Sequence, residues 1–209
     1  MTLQNRVTPF GQILAVPDRG TMMGNRGGNM HTDEKRLRRG RPWTNERWIT
    51  CVLEFKGRHR EVMSPGKYTE LFFLDEATAF AAGHRPCAEC RRADFRRFTE
   101  LWVKANRPDG YILPTVSEID RQLQEERIFA GTRSQRTWRT DAAALPSGTF
   151  VEWDGDVFLV WDRALRRWSF GGYNDFRRLP AGEVTVLTPE SVVRTFAAGY
   201  RPMVHGMNG

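Results

Sequence analysis

Gly83-His84-Arg85-Pro86-Cys87-Ala88-Glu89-Cys90-Arg91-Arg92 is the stretch from which the rest of the chain is read, because two of the three cysteines sit in it at Cys-x2-Cys spacing. That spacing lets two thiolates point from one tight turn at a single tetrahedral ion. His84, three residues upstream, offers a further soft donor. Ahead of the turn, residues 68–74 (YTELFFL) read as a strand and Asp75 as the N-cap of a short helix reaching Ala82. Gly83 supplies a left-handed helix stop and Pro86 prevents a restart. Beyond the turn, Arg91 to about Lys104 reads as a basic amphipathic helix, with Phe95, Phe98, Leu101 and Trp102 on one face.

A structural zinc site needs four ligands. Cys51, within a strand over residues 48–55, is the remaining thiol and the expected third ligand beside Cys87 and Cys90. His84 is the expected fourth, with His59 as its alternative; His31 and His205 are remoter candidates. Three cysteines in 209 residues argue for reduced thiols rather than a disulfide framework. The first ten residues carry no apolar signal core, and no apolar run approaches the roughly 18 residues of a membrane span, so a cytoplasmic protein is expected. One zinc ion is the default for such an N/S site; iron, or a redox-active Cys87/Cys90 pair, are the alternatives.

The net charge of +7 is unevenly placed. Residues 1–67 hold thirteen Lys/Arg against six Asp/Glu, whereas residues 68–209 hold nineteen of each. A one-sided basic region is the usual footprint of a polyanion partner. Arg26 lies in a Gly/Asn-rich loop over residues 22–31, whose glycines permit close approach of backbone N–H groups to phosphate; the same composition also serves an ordinary turn. Residues 33–41 (DEKRLRRGR) read as a short basic helix, and residues 56–60 as a basic turn holding Arg58.

Residues 11–16 read as a strand and residues 116–129 as a helix capped by Ser117. Residues 131–146 form a polar connector, which sets a basic N-terminal region over residues 1–130 apart from a unit over residues 148–209. That unit opens with an antiparallel meander over 149–153, 157–161 and 167–170, in which Trp153, Trp161 and Trp168 fit core or sheet-face positions better than a base-stacking platform. A second strand (residues 183–187) and helix follow, with Thr188 as N-cap and Pro189 as first helical residue. Phe196-Ala197-Ala198-Gly199-Tyr200-Arg201-Pro202-Met203 then echoes Phe80-Ala81-Ala82-Gly83-His84-Arg85-Pro86-Cys87, with both donor positions replaced. The expected class is therefore α+β: a small zinc-stabilised strand–helix module, a Trp-rich antiparallel meander and a second strand–helix unit.

Residues 68–92, with Phe72-Phe73-Leu74, Glu76-Ala77, Ala81-Ala82-Gly83-His84-Arg85-Pro86-Cys87 and Cys90, resemble the second half of the N-terminal zinc module of the Ada methyl-phosphotriester DNA repair proteins. The resemblance implies a strand, an Ala-rich helix and a DNA-binding knuckle in which Cys87 and Cys90 ligate zinc. It covers about an eighth of the chain. The upstream Cys-x3-Cys pair of that family has no counterpart, since residues 56–60 contain no cysteine, and a methyl-accepting thiol has no matching position.

The expected function is a zinc-binding protein that binds DNA or another nucleic acid, in repair or regulation, through a basic surface built from Arg26, Arg58, Arg85, Arg91, Arg92 and Arg96. The alternatives are a metal- or thiolate-dependent enzyme acting on nucleic acid, with Cys51 as nucleophile or an open metal position, and a metal-stabilised protein-interaction module.

Overall fold

The Asp75 carboxylate starts the central helix as expected, accepting from the Thr78 N–H at 2.8 Å and the Thr78 hydroxyl at 2.7 Å. The computed structural model describes residues 2–40, 42–58, 61–107 and 114–207. In that range the chain is α+β, with two six-stranded sheets and four α-helices.

The first sheet comes from the N-terminal part. Its strands are β1 (Arg6–Val7), β2 (Ile13–Leu14), β3 (Met22–Arg26), β4 (Trp48–Cys51), β5 (Leu71–Phe73) and β6 (Arg85–Pro86), in the order β2-β1-β5-β3-β4-β6. Between β5 and β6 lies α1 (Glu76–Ala81). The segment over 22–31 expected as a loop is corrected here: its first half is the strand β3, paired with both β4 and β5. Gly24 explains the misreading. A Cβ there would come within 2.2 Å of the Ile49 carbonyl oxygen, so the glycine serves close backbone approach inside a sheet rather than a turn. The expected helix over 33–41 is likewise absent among the described residues. Lys35 takes a positive φ of 59°, and the chain doubles back so that Arg38 N–H reaches the Met30 carbonyl.

Gly83, at φ 79°, ends α1 in a Schellman turn: its N–H reaches the Phe80 carbonyl at 2.8 Å and the His84 N–H reaches Ala79 O at 2.9 Å. The chain then enters β6. Helix α2 (Arg92–Asn106) follows, with Phe98 and Trp102 fully buried from the expected stripe. Helix α3 (Val116–Arg127) is capped by Thr115 rather than Ser117, in a reciprocal capping box with Glu118.

The second sheet comprises β7 (Trp138–Asp141), β8 (Phe150–Trp153), β9 (Asp156–Trp161), β10 (Ala164–Ser169), β11 (Gly172–Arg178) and β12 (Glu183–Val186), ordered β11-β10-β9-β8-β12-β7. The meander forms as expected, with positive φ at Asp154-Gly155 and at Asp162-Arg163, as two-residue hairpin loops require. It gains β11, and the stretch read as a connector contributes the edge strand β7. Trp161 is buried, and Trp153 and Trp168 pack partly buried against the cores, so they are packing residues. Helix α4 (Glu190–Ala197) ends the unit with Pro189 at its N-cap; the Thr188 hydroxyl instead accepts the Phe150 N–H at 2.9 Å.

The two strand–helix units meet through one aromatic cluster. Phe80 lies edge-on to Phe196 at 5.3 Å and to Tyr200 at 5.4 Å, over Phe98 and Trp102. Each such ring contributes about 1.5–3 kcal/mol on burial. Two buried carboxylates complete the joint. Asp75 also accepts from the Tyr173 hydroxyl and the His205 N–H, and Glu76 from the Tyr200 hydroxyl and the Met203 N–H.

Candidate metal centre

Cys51 ends β4, and Cys87 follows β6 directly. The two strands run parallel, with Thr50 opposite Pro86, and the Cys87 N–H continues the ladder to the Thr50 carbonyl at 2.9 Å. Sheet pairing therefore sets Cys51 beside a knuckle that lies far from it in sequence. The knuckle closes when Arg91 N–H reaches the Cys87 carbonyl at 3.2 Å, one turn before α2 starts, and this swings Cys90 back towards the other two. The three sulfur atoms lie within 4.8 Å of one another. Tetrahedral zinc with bonds of about 2.3 Å would place them roughly 3.8 Å apart, so a small closure suffices.

The backbone favours negative charge here. The Glu89 N–H points at Cys87 Sγ at 3.4 Å, and the Val52 N–H acts on Cys90. Hydrogen bonds from Cys51 and Cys90, reinforced by the backbone amides of Cys90 and Glu89, hold the Cys87 thiol far below its ordinary range. The same contact with Cys87 pushes the Cys51 thiol up. Three neighbouring sulfurs, with amide N–H groups aimed at two of them, form a donor set suited to a thiophilic cation.

His84 does not join them. It is fully buried on the other side of the sheet, between Trp48 (5.2 Å) and Phe73 (4.7 Å). Its Nδ1 contacts the Ala79 carbonyl at 3.2 Å and its Nε2 faces Arg26 Nε at 3.4 Å. The expectation of His84 as a ligand is corrected for a simple reason: as the residue after a Schellman glycine it is drawn back over the helix it follows, away from Cys87. His59 lies outside the described residues. His31 is held by Thr69 and the Ser64 carbonyl, and His205 sits near Gly172. Among the described residues no His, Asp or Glu joins the three cysteines as a fourth ligand.

The site instead opens on a cavity of about 380 Å³ over the outer face of the first sheet. Met23, Asn25, Ile49 and Phe72 floor it, all on the face opposite the core. Arg58 and Glu89 stand at its rim, paired at 2.9 Å. Tyr68 and Arg19 also line it, neither of which the sequence reading selected. Their positions follow only from the pairing of β3, β4 and β5.

The six expected basic contacts divide evenly. Arg58, Arg92 and Arg96 are exposed. The other three are corrected, because each is buried as a structural strut. Arg85 grips Asp120 bidentately at 2.7 and 2.8 Å. Arg91 pairs with Glu76 at 2.7 Å and with Asp94 at 2.8 Å. Arg26 donates to the Gly11 carbonyl at 2.8 Å and lies 4.1 Å over Trp48. No helix is long and apolar enough to cross a membrane among the described residues. Comparison of the chain with protein-family models, curated proteins and solved structures finds no match.

Proposed function

We propose that the protein binds one zinc ion through Cys51, Cys87 and Cys90 and contacts nucleic acid through the exposed basic face beside it. The observation that carries the reading is the convergence of three sulfurs within 4.8 Å from two parallel strands and a turn. Three thiols in one place with amide N–H groups aimed at sulfur are a metal-binding arrangement. Zinc supplies there the charge that lets all three sulfurs ionise and locks β4 to the knuckle. The resemblance of residues 68–92 to the Ada zinc module supports Cys87 and Cys90 as ligands. Arg92 and Arg96 are exposed on the helix that leaves the knuckle, and Arg58 lines the cavity, so all three guanidinium groups are open to a polyanion. Contacts of that kind give affinity without sequence readout.

Metal content by mass spectrometry on reduced protein tests the first half. One zinc per chain is expected in the wild type, with loss in Cys51→Ser and Cys87→Ser and retention in His84→Gln. Fluorescence anisotropy with a labelled DNA duplex across a salt series tests the second. Arg92→Glu/Arg96→Glu should flatten the salt slope by about two. Metal-free wild type sinks the first half, and an unchanged slope the second.

One observation favours a second reading, an enzyme acting on bound nucleic acid. The fourth side of the cysteine cluster faces a cavity rather than a protein ligand among the described residues, the arrangement of sites that keep an open coordination position. Cobalt-substituted protein tests it: an open position changes its visible spectrum on adding azide or cyanide, and a closed one does not.

A further inference from the structure

On the opposite side of β3 and β4 lies a larger cavity, of about 690 Å³. Its charge is one-sided. Among the described residues five arginines line it, Arg26, Arg38, Arg39, Arg127 and Arg133, and no carboxylate does. None of the five forms an ion pair among the described residues, whereas arginines elsewhere in the fold pair with Asp120, Glu76, Asp156 or Glu183. Two of the five are buried. Arg26 and Arg127, each 2% exposed, lie over the Trp48 ring at 4.1 and 3.9 Å. Their N–H groups are spent on neutral partners: Gly11 O and His84 for Arg26, Gly83 O, Glu46 O and Gln124 for Arg127.

Buried cations are ordinarily paired, because an uncompensated charge costs several times what its hydrogen bonds return. Burial lowers the Arg26 guanidinium to about 9, and burial together with Arg26 holds Arg127 well below its usual range, although Asp120 and Glu46 oppose this from a distance without forming an ion pair with it. The missing partner is a negative charge. The rim is arranged to admit one. Arg38, Arg39 and Arg133 are exposed at its edge, and Gly40 lets the Arg133 guanidinium close in, since a Cβ there would meet it at 2.9 Å. Half-buried Trp43, tilted against Trp48 at 5.7 Å, adds an aromatic surface to the same wall. Guanidinium groups recognise phosphate oxygens in forked geometry, and an indole accepts a base by stacking. The volume suits a ligand of that size.

We propose that this cavity binds a nucleotide, its phosphate held by the exposed Arg39 and Arg133 within the field of the buried Arg26, and its base laid against Trp43. The site is separate from the cysteine cluster and does not rest on zinc or on the Arg92/Arg96 face. The phosphate-bearing unit has two sources, a free nucleotide or the 5′-phosphorylated end of a strand.

Isothermal titration calorimetry on the full chain tests the proposal with AMP, ATP, pyrophosphate, adenosine and a short oligothymidylate with and without a 5′-phosphate. AMP and ATP should bind while adenosine does not. Arg39→Glu and Arg133→Glu, both at exposed positions the fold does not need, should weaken binding about tenfold or more each. Trp43→Ala should weaken AMP and leave pyrophosphate unchanged. Arg92→Glu/Arg96→Glu should leave every affinity unchanged, which separates this site from the basic face. Preference for the 5′-phosphorylated oligonucleotide over AMP assigns the site to a strand end, and the reverse to a free nucleotide. Absence of binding by every phosphate compound at millimolar concentration overturns the proposal, as does binding indifferent to Arg39→Glu and Arg133→Glu. Equal affinity for AMP and pyrophosphate overturns the nucleotide assignment.

Discussion

Asp120→Ala strands Arg85, and its cost follows from the geometry. Arg85 Nε and Nη2 donate to the two Asp120 oxygens at 2.7 and 2.8 Å, and Nη1 to the Pro86 carbonyl at 3.1 Å. Only 3% of the arginine side chain and 7% of the aspartate side chain reach solvent. Removing one partner from such a pair costs about 3–5 kcal/mol, because the remaining charge stays desolvated without compensation. Against a total stability of about 5–15 kcal/mol this is a large share. Urea denaturation should show the midpoint falling at unchanged slope. The double variant Arg85→Met/Asp120→Leu, with no charge left to strand, should regain most of the loss. Arg58→Ala is the control, since its pair with Glu89 is 63% and 58% exposed and should matter by less than about 1 kcal/mol. A loss below about 1 kcal/mol in Asp120→Ala would refute the reasoning, as would a double variant no better than the single. The same variant also tests function. Were Arg85 a phosphate contact restrained by Asp120, Asp120→Ala would tighten DNA binding; as a strut, it leaves the salt slope unchanged.

Three further outcomes follow from single sites. Gly24→Ala forces a Cβ to within 2.2 Å of the Ile49 carbonyl oxygen, so β3 and β4 must separate; a drop of several degrees in the thermal midpoint, or loss of soluble protein, is expected. His84 is held well below the ordinary imidazole value of about 6.5 by burial, and then by Arg26 and Arg127. A base with a depressed folded value adds stability that is complete above about pH 6.5 and is lost as pH falls from there towards the folded value, because the unfolded chain then binds the proton more readily. His84→Gln should remove that part of the acid-side slope in a urea–pH series. On the proposed metal-binding reading, a strong chelator should lower the melting temperature of the wild type and leave that of Cys87→Ser unmoved, since only the former would hold a metal.

Local signals were legible in the sequence where the chemistry is local. Asp75 before an Ala-rich run, Gly83 after it, and the Phe98/Trp102 spacing each act within one or two turns of chain, and the helices form where those signals place them. The Cys87/Cys90 pair was legible for the same reason. Cys51 was reachable by elimination, as the one remaining thiol. What failed depended on partners distant in sequence. Gly24 and Asn25 carry turn composition, but β4 and β5 on either side impose strand. Ser117 resembles an N-cap, but Thr115 with Glu118 completes a reciprocal box two residues earlier. The role of each arginine was equally hidden. Arg85 and Arg92 read alike as basic residues at the knuckle, and only Asp120, on a helix well downstream, makes one a strut and leaves the other in solvent.

The internal echo shows why the cysteine site occurs once. Both copies stop their helix in the same way: Gly199 at φ 110° passes its N–H to Phe196 O at 2.9 Å, and Tyr200 N–H reaches Thr195 O at 3.2 Å, matching Gly83 and His84. After the shared Gly-x-Arg-Pro the copies diverge by what lies beside them. In the first, Arg85–Pro86 meets β4 and becomes a strand, so Cys87 arrives next to Cys51. In the second, Arg201 remains exposed, and Met203 exchanges hydrogen bonds with Glu76 at the head of α1, N–H to Oε2 at 2.8 Å and carbonyl from the Glu76 N–H at 3.2 Å. The second tail thus anchors the start of the helix whose end positions the first. A thiol at position 203 would therefore lie beside the buried Glu76 carboxylate, with no paired strand bringing a further thiol to it. Met203→Cys should bind no more metal than the wild type by mass spectrometry, and an additional bound ion would show that the turn alone, without a paired strand to supply a further ligand, is enough to make a site.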